Sequence, residues 1–180
     1  FFVGTWITGA QGTVNFTTRS GTLVNAPVFY YSGIRVMGTG PDAVLGQLYG
    51  GPIGSALSPI GSPVPFRSDA GRGYITAGGE VSIPGTTPGG EAQVKLVAWL
   101  AEAGNSYTEA MFGTRCGAFG ESQVILVHDL GGGGPPPAFL AGLQGFDAFP
   151  PCPEPSIPVL GLLGASLLLI RRKSGKVAAV

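Results

Sequence analysis

Ala92-Gln93-Val94-Lys95-Leu96-Val97-Ala98-Trp99-Leu100 is the stretch that decides the fold class. Val94, Leu96, Ala98 and Leu100 share one parity, and Gln93 and Lys95 share the other. In a strand these two sets face opposite ways. From Val97 and Trp99 onward the second parity turns apolar too. A segment apolar first on one face and then on both reads as a strand that runs into the middle of a β protein, covered on each side.

Outward from this strand lie short extended segments joined by tight turns. Toward the C-terminus, residues 106–111 have the pattern of one helical turn, and 121–128 (ESQVILVH) read as a strand. Gly131–134 followed by Pro135–137 is a flexible run and then a stiff one. Beyond it Phe139, Leu140, Leu143, Phe146 and Phe149 still need burial, so 138–149 is expected to close the same domain with a last strand. Toward the N-terminus, 74–77 and 80–83 read as a hairpin turning on Gly78-Gly79. Residues 50–65, rich in Gly, Ser and Pro, read as a long surface loop, and 43–49 as a strand after a turn at 38–42. Residues 28–31 make a strand after a turn at Asn25-Ala26-Pro27. Residues 12–18 alternate, with Val14 and Phe16 inward and Thr13, Asn15 and Thr17 outward. The expected fold is all-β, a single sandwich of about 7–8 short antiparallel strands over residues 11–149.

Composition agrees. Of 180 residues 32 are Gly and 16 Pro, which suits many turns, and 44% are hydrophobic, too many for a chain without a core. The formal charge of zero hides an asymmetry. Before Pro150 lie 6 basic and 9 acidic residues; from Pro150 onward lie 4 basic and 1 acidic. A weakly acidic body with no basic patch in sequence offers no footprint for nucleic acid.

The chain opens on Phe1, and residues 1–10 (FFVGTWITGA) read as the trailing end of a secretory signal peptide without its charged front. Cleavage is expected between Ala10 and Gln11, after the small residues Gly9 and Ala10. A first strand over 1–8 is the other reading. Cys116 and Cys152 would meet an oxidising compartment, and whether they pair is a matter of geometry.

The end of the chain has three parts in fixed order. Residues 150–156 are a proline-rich stem that admits neither a regular helix nor a central strand. Residues 157–170 carry no charge and are dominated by Leu and Ile. As a helix they would be about 21 Å long, short for a lasting span of a hydrocarbon core of about 30 Å. Arg171, Arg172 and Lys173 then form a stop that the positive-inside rule places in the cytoplasm, with residues 171–180 as a basic tail.

Pro153-Glu154-Pro155-Ser156, the apolar run and the Arg-rich end together resemble a PEP-CTERM sorting signal. That resemblance implies a protein exported across the inner membrane of a bacterium with two membranes. It implies an exosortase as partner, a membrane-embedded transpeptidase that recognises Pro153, Glu154 and Pro155. It also implies a transient anchor in the inner membrane, and a final place at the cell surface or in the extracellular matrix. The body, from Gln11 to Leu143, is similar to the secreted domain of a group of PEP-CTERM proteins of unassigned function, which brings no chemistry with it.

Catalytic patterns are scarce. The single histidine, His128, stands beside Asp129. There is no Gly-x-Ser-x-Gly elbow, His-Glu-x-x-His motif or phosphate-binding loop. Asp42, Asp69, Asp129 and Asp147 lack the spacing of a calcium loop, so no metal or cofactor is expected. Glu91, Glu102, Glu109 and Glu121 flank the strong strands, and a converging pair would make a small secreted carbohydrate-active enzyme, the alternative reading. The leading expectation is a non-enzymatic surface or matrix protein that contacts exopolysaccharide. Aromatic faces stack on sugar rings when exposed and pack cores when not. Trp99 and one of Tyr30 and Tyr31 are expected inside; Tyr49, Tyr74 and Tyr107, near Gly-rich turns, are the candidate glycan contacts.

Overall fold

A computed structural model describes residues 10–113 and 118–149. Within them the chain is mostly β, arranged in several sheets. The strands are β1 (Gly12–Asn15), β2 (Arg19–Ser20), β3 (Val24–Tyr30), β4 (Val44–Gly51), β5 (Ser58–Pro65), β6 (Glu80–Ile83), β7 (Ala92–Leu100), β8 (Phe119–Glu121), β9 (Ile125–Val127), β10 (Ala138–Phe139) and β11 (Gln144–Ala148). One short helix, α1 (Tyr107–Phe112), follows β7 after a 3-10 turn at Ala101–Ala103. Contacts divide the chain into Phe1–Pro150 and Pro151–Val180, and only the first contains described residues. The signal remnant before Ala10, Cys116, Cys152, the Pro153-Glu154-Pro155 motif, the apolar run and Arg171, Arg172 and Lys173 lie outside the described residues.

β7 has the bounds its alternation implies and lies inside the largest sheet. β4 pairs with it along nearly its whole length, from Val44 opposite Leu100 to Gly51 opposite Gln93. β8 and β9 share its other edge. Ala92, Val94, Leu96, Ala98 and Leu100 enter the main core with Val14, Phe16, Val28 and Leu48. Val97 and Trp99 enter a second, smaller cluster with Tyr107 and Ala110 of α1. The switch from one apolar face to two therefore marks where α1 covers the sheet.

α1 begins where the sequence supplies a cap. The Ser106 hydroxyl accepts from the Glu109 amide at 3.2 Å, and Glu109 Oε2 accepts from the Asn105 amide at 2.7 Å. This is a capping box displaced by one residue at its return bond. Ser106→Ala should cost about 1 kcal/mol. Urea titration should show it as a lower midpoint, and an unchanged midpoint would mean that packing of Tyr107 alone holds α1.

Several sequence expectations are corrected. Residues 58–65 are not loop but β5, an edge strand bonded only to β4. Pro59, Pro63 and Pro65 lack amide donors, which an edge tolerates, while Ile60 is buried and Val64 half-buried. At Gly61 (φ 64°) the ladder slips, and the Gln47 side chain donates to the Gly61 carbonyl at 2.7 Å. Asn25-Ala26-Pro27 is not a turn but part of β3, where the ladder to β11 also slips. Residues 74–77 do not form a hairpin with 80–83. Thr18 exchanges hydrogen bonds with Ile75 at 2.9 Å each way, its amide to the Ile75 carbonyl and the Ile75 amide to its hydroxyl. β6 instead pairs with β1. Gly78 passes so close to Phe16 that a Cβ there would sit 2.4 Å from its carbonyl. Thr13, Thr17 and Thr18, expected outward or unassigned, are buried, so the first strand region is covered on both sides.

The run 121–128 breaks into β8 and β9. Between them Ser122 bonds Leu96 through its amide at 2.8 Å and its hydroxyl at 3.0 Å. The closing strand is likewise two, β10 and β11, in different sheets ordered β10-β1-β6 and β11-β3-β2. Both pair in parallel, β10 with β1 and β11 with β3, so the fold is not purely antiparallel. A tight hairpin enforces antiparallel pairing, and these partners lie far apart in sequence, where no such constraint acts.

Candidate functional site

Three of the four carboxylates considered for an acid pair have different partners. Glu91 pairs with His128 Nδ1 at 2.5 Å, at the surface. Glu109 caps α1. Glu121 accepts from Lys95 Nζ at 2.6 Å and from the Tyr107 hydroxyl at 3.1 Å. Among the described residues no group of three or more His, Cys, Asp or Glu side chains is placed to hold a metal ion. Asp129, beside His128, occupies a left-handed conformation (φ 52°).

Lys95 holds the Glu121 carboxyl below the usual range, the hydrogen bond counting first and burial opposing it. The sign follows: a depressed carboxylate contributes stability above its ordinary pKa and loses it as pH falls through the lowered one. Glu121 is half exposed, so the contribution is small. Lys95→Met should raise the Glu121 titration midpoint, read by NMR. A midpoint that does not move would assign the depression to Tyr107 instead.

The tyrosines chosen as glycan contacts are not where their neighbouring glycines suggest. Tyr107 is buried, edge-on to Tyr49, Trp99 and Phe119 with centroids 5.6–6.4 Å away. Burial, and then Glu121, push its hydroxyl pKa up. Tyr49 is half-buried in the same cluster. Tyr74 is buried as well, and its hydroxyl donates to Asn25 Oδ1 at 2.7 Å. Tyr74 and Tyr107 offer no free face, and Tyr49 is partly covered; Gly-rich turns set the backbone without setting the exposure of the ring. The Tyr30/Tyr31 pair divides as alternation requires. Tyr30 is half-buried against Phe149, and Tyr31 is 66% exposed.

Tyr74 gathers what the sequence disperses. The guanidinium carbons of Arg19 and Arg35 lie 5.0 and 5.2 Å from its ring centroid, within cation–π range. Beside them runs a surface groove of about 620 Å³, lined by Ile34, Arg35, Ser68, Asp69, Ala70 and Arg72. Arg67 pairs with Asp69 through two hydrogen bonds, one of them Nε to Oδ1 at 2.9 Å. Asp69 Oδ1 also accepts from the Gly71 amide at 2.8 Å, and these contacts bring its pKa down to about 2. A Cβ on Gly71 would meet Arg67 Nε at 2.7 Å, so a larger residue there would displace the Arg67 side chain. Arg72 Nε donates to the Ser68 carbonyl at 3.3 Å, and Ser68 Oγ accepts from the Gly38 amide at 3.1 Å. The loop carrying the charges is thus tied down internally.

No protein family, curated protein or solved structure matches this chain.

Four of the five described basic residues, Arg19, Arg35, Arg67 and Arg72, meet in this region. No basic patch is visible in the sequence because these residues are spread from position 19 to 72. One signal was present: Arg67-Ser68-Asp69-Ala70-Gly71-Arg72 is the densest charged run before the tail. Other grooves also run along the described residues. One, of about 500 Å³, runs past Leu23, Leu126, His128 and Phe139; another, of about 450 Å³, past Tyr30, Met37 and Phe149. Both are mainly apolar.

Proposed function

We propose that this chain is an exported, non-enzymatic surface or matrix protein, delivered by its C-terminal signal and processed by an exosortase. One observation carries the reading: Pro153-Glu154-Pro155, an uncharged apolar run and Arg171-Arg172-Lys173 follow one another in that order. The prolines keep the motif extended and accessible to a transpeptidase. The short apolar run inserts long enough to be processed, and the cations stop translocation. The sheets on either side of the main core are read as the layers of a β-sandwich, a scaffold suited to a protein that works outside the cell. Its role there is contact with exopolysaccharide. With Tyr74 and Tyr107 buried and Tyr49 half-buried, that contact moves to the arginine-lined groove.

Deleting residues 153–173 should change where the protein resides. In cell fractionation the intact chain should reach the envelope or matrix, and the truncated chain should be lost from it. The same distribution for both would remove the sorting claim.

A further inference from the structure

The geometry points to an acidic polysaccharide as the ligand of the groove between the 31–35 turn and the 67–72 loop. Arg35 and Arg72 take the anionic substituent, and Tyr31 and Ile34 offer the apolar rim for the sugar ring. This rests on the exopolysaccharide reading above and deepens it.

The described residues carry 9 acidic side chains against 5 Lys and Arg, yet four arginines collect at one place. Asp69, the only carboxylate among the described residues that line the groove, is already paired with Arg67. The lining itself carries Arg35 and Arg72, with Asp69 held by Arg67 just outside it. No carboxylate of the described residues pairs with Arg35 or Arg72. Arg35 is held over Tyr74 instead, which fixes its position while leaving its donors for a ligand. A guanidinium matches the geometry of a carboxylate or an oxyanion ester through paired N–H donors.

Tyr31 and Ile34, 66% and 59% exposed, sit on the turn that leads into Arg35, and Ile34 lines the groove. The turn is closed by hydrogen bonds from the Tyr30 amide to the Ile34 carbonyl at 2.7 Å and from the Gly33 amide to the Tyr30 carbonyl at 2.8 Å. Apolar surface beside unpaired cations fits a ring that carries an acid, because the ring needs contact area and the acid needs donors. The groove is a surface feature whose lining is mostly exposed, so a polymer can lie across it without an end having to enter. Nucleic acid fits less well. A repeating phosphate backbone calls for cations along a stripe, and here they stop at one groove in an otherwise acidic body.

The test is calorimetry on the full chain with polygalacturonate, dextran sulfate and uncharged dextran. The expected result is binding to one or both anionic polymers, none to dextran, and weakening as salt rises. Binding to polygalacturonate alone assigns a carboxylate ligand, and to dextran sulfate alone a sulfate ester. Arg72→Ala should lose at least tenfold in affinity, Arg35→Ala with Arg72→Ala more, and Tyr31→Ala several-fold. Lys95→Ala, outside the groove lining, should change nothing. Arg72 makes one backbone contact, so its variant should keep the wild-type unfolding midpoint. Full affinity in the double variant, equal binding to dextran, or a preference for duplex DNA or anionic vesicles would overturn the proposal. Localisation is read independently. Polymer binding by a chain that never reaches the envelope refutes the sorting reading alone, and correct sorting without polymer binding refutes the groove alone.

Discussion

Trp99→Ala should cost about 3–5 kcal/mol of stability, a large share of the roughly 5–15 kcal/mol that holds a domain together. Trp99 has no exposed surface and sits on β7 opposite Leu45 of β4 and Phe119 of β8. Its ring meets Tyr107 edge-on at 6.4 Å, and its indole N–H donates to the Gly104 carbonyl at 3.0 Å. Truncation empties the space between the largest sheet and α1, and the helix is too short to collapse into it. It also cuts the tie from β7 to the chain just before α1. In urea the midpoint should fall with the slope unchanged, since the surface exposed on unfolding is nearly the same. A loss below about 1 kcal/mol would mean that α1 and its aromatic cluster contribute little to holding the sheet.

Gly131→Ala should be the second largest effect, about 3 kcal/mol, for a different reason. Gly131 exchanges both backbone hydrogen bonds with Thr13 of β1, at 3.0 and 2.9 Å. On its other side the backbone of Pro136 and Pro137 is so close that a Cβ would lie 2.3 Å from the Pro136 carbonyl oxygen and 2.5 Å from Pro137 Cα. Backbone cannot swing aside as a flexible side chain can. Either the bridge to Thr13 breaks or the proline run moves, and with it β10, which pairs with β1 just beyond. Gly133→Ala is the comparison. It carries φ 65°, but its nearest neighbour would be Ala10 Cβ at 3.5 Å, so it should cost only about 1 kcal/mol. Thermal unfolding of the two variants should separate them clearly. Equal losses would show that the left-handed backbone, not the crossing at Gly131, is the sensitive feature.

These two sites also show what the sequence made legible. β7 could be read to its end residues because its two parities change character within nine positions, and strand periodicity is strictly local. α1 could be read because its cap is local too, Ser106 with Glu109. What failed was information carried by distant partners. β5 was hidden by its prolines, which deny a central strand but not an edge. The supposed hairpin at Gly78-Gly79 failed because that glycine pair serves a crossing under Phe16 rather than a two-residue turn. The parallel pairings of β10 and β11 depend on segments far apart in the chain, which no local pattern records. The groove was invisible for the same reason. Arg67 and Arg72 share one charged run, but only the fold brings Arg19 and Arg35 to it, over Tyr74. A ring next to a turn suggests exposure, whereas Tyr74 and Tyr107 are themselves buried, each reaching a more exposed partner, Asn25 or Glu121, through its hydroxyl.

Intact mass of the protein recovered from its native envelope tests the central claim most directly. The account predicts a mature chain that starts at Gln11 and has lost the segment following Pro153-Glu154-Pro155. A mature chain that still carries residues through Val180 would contradict it, since the tail would then be a lasting anchor and not a processed sorting signal.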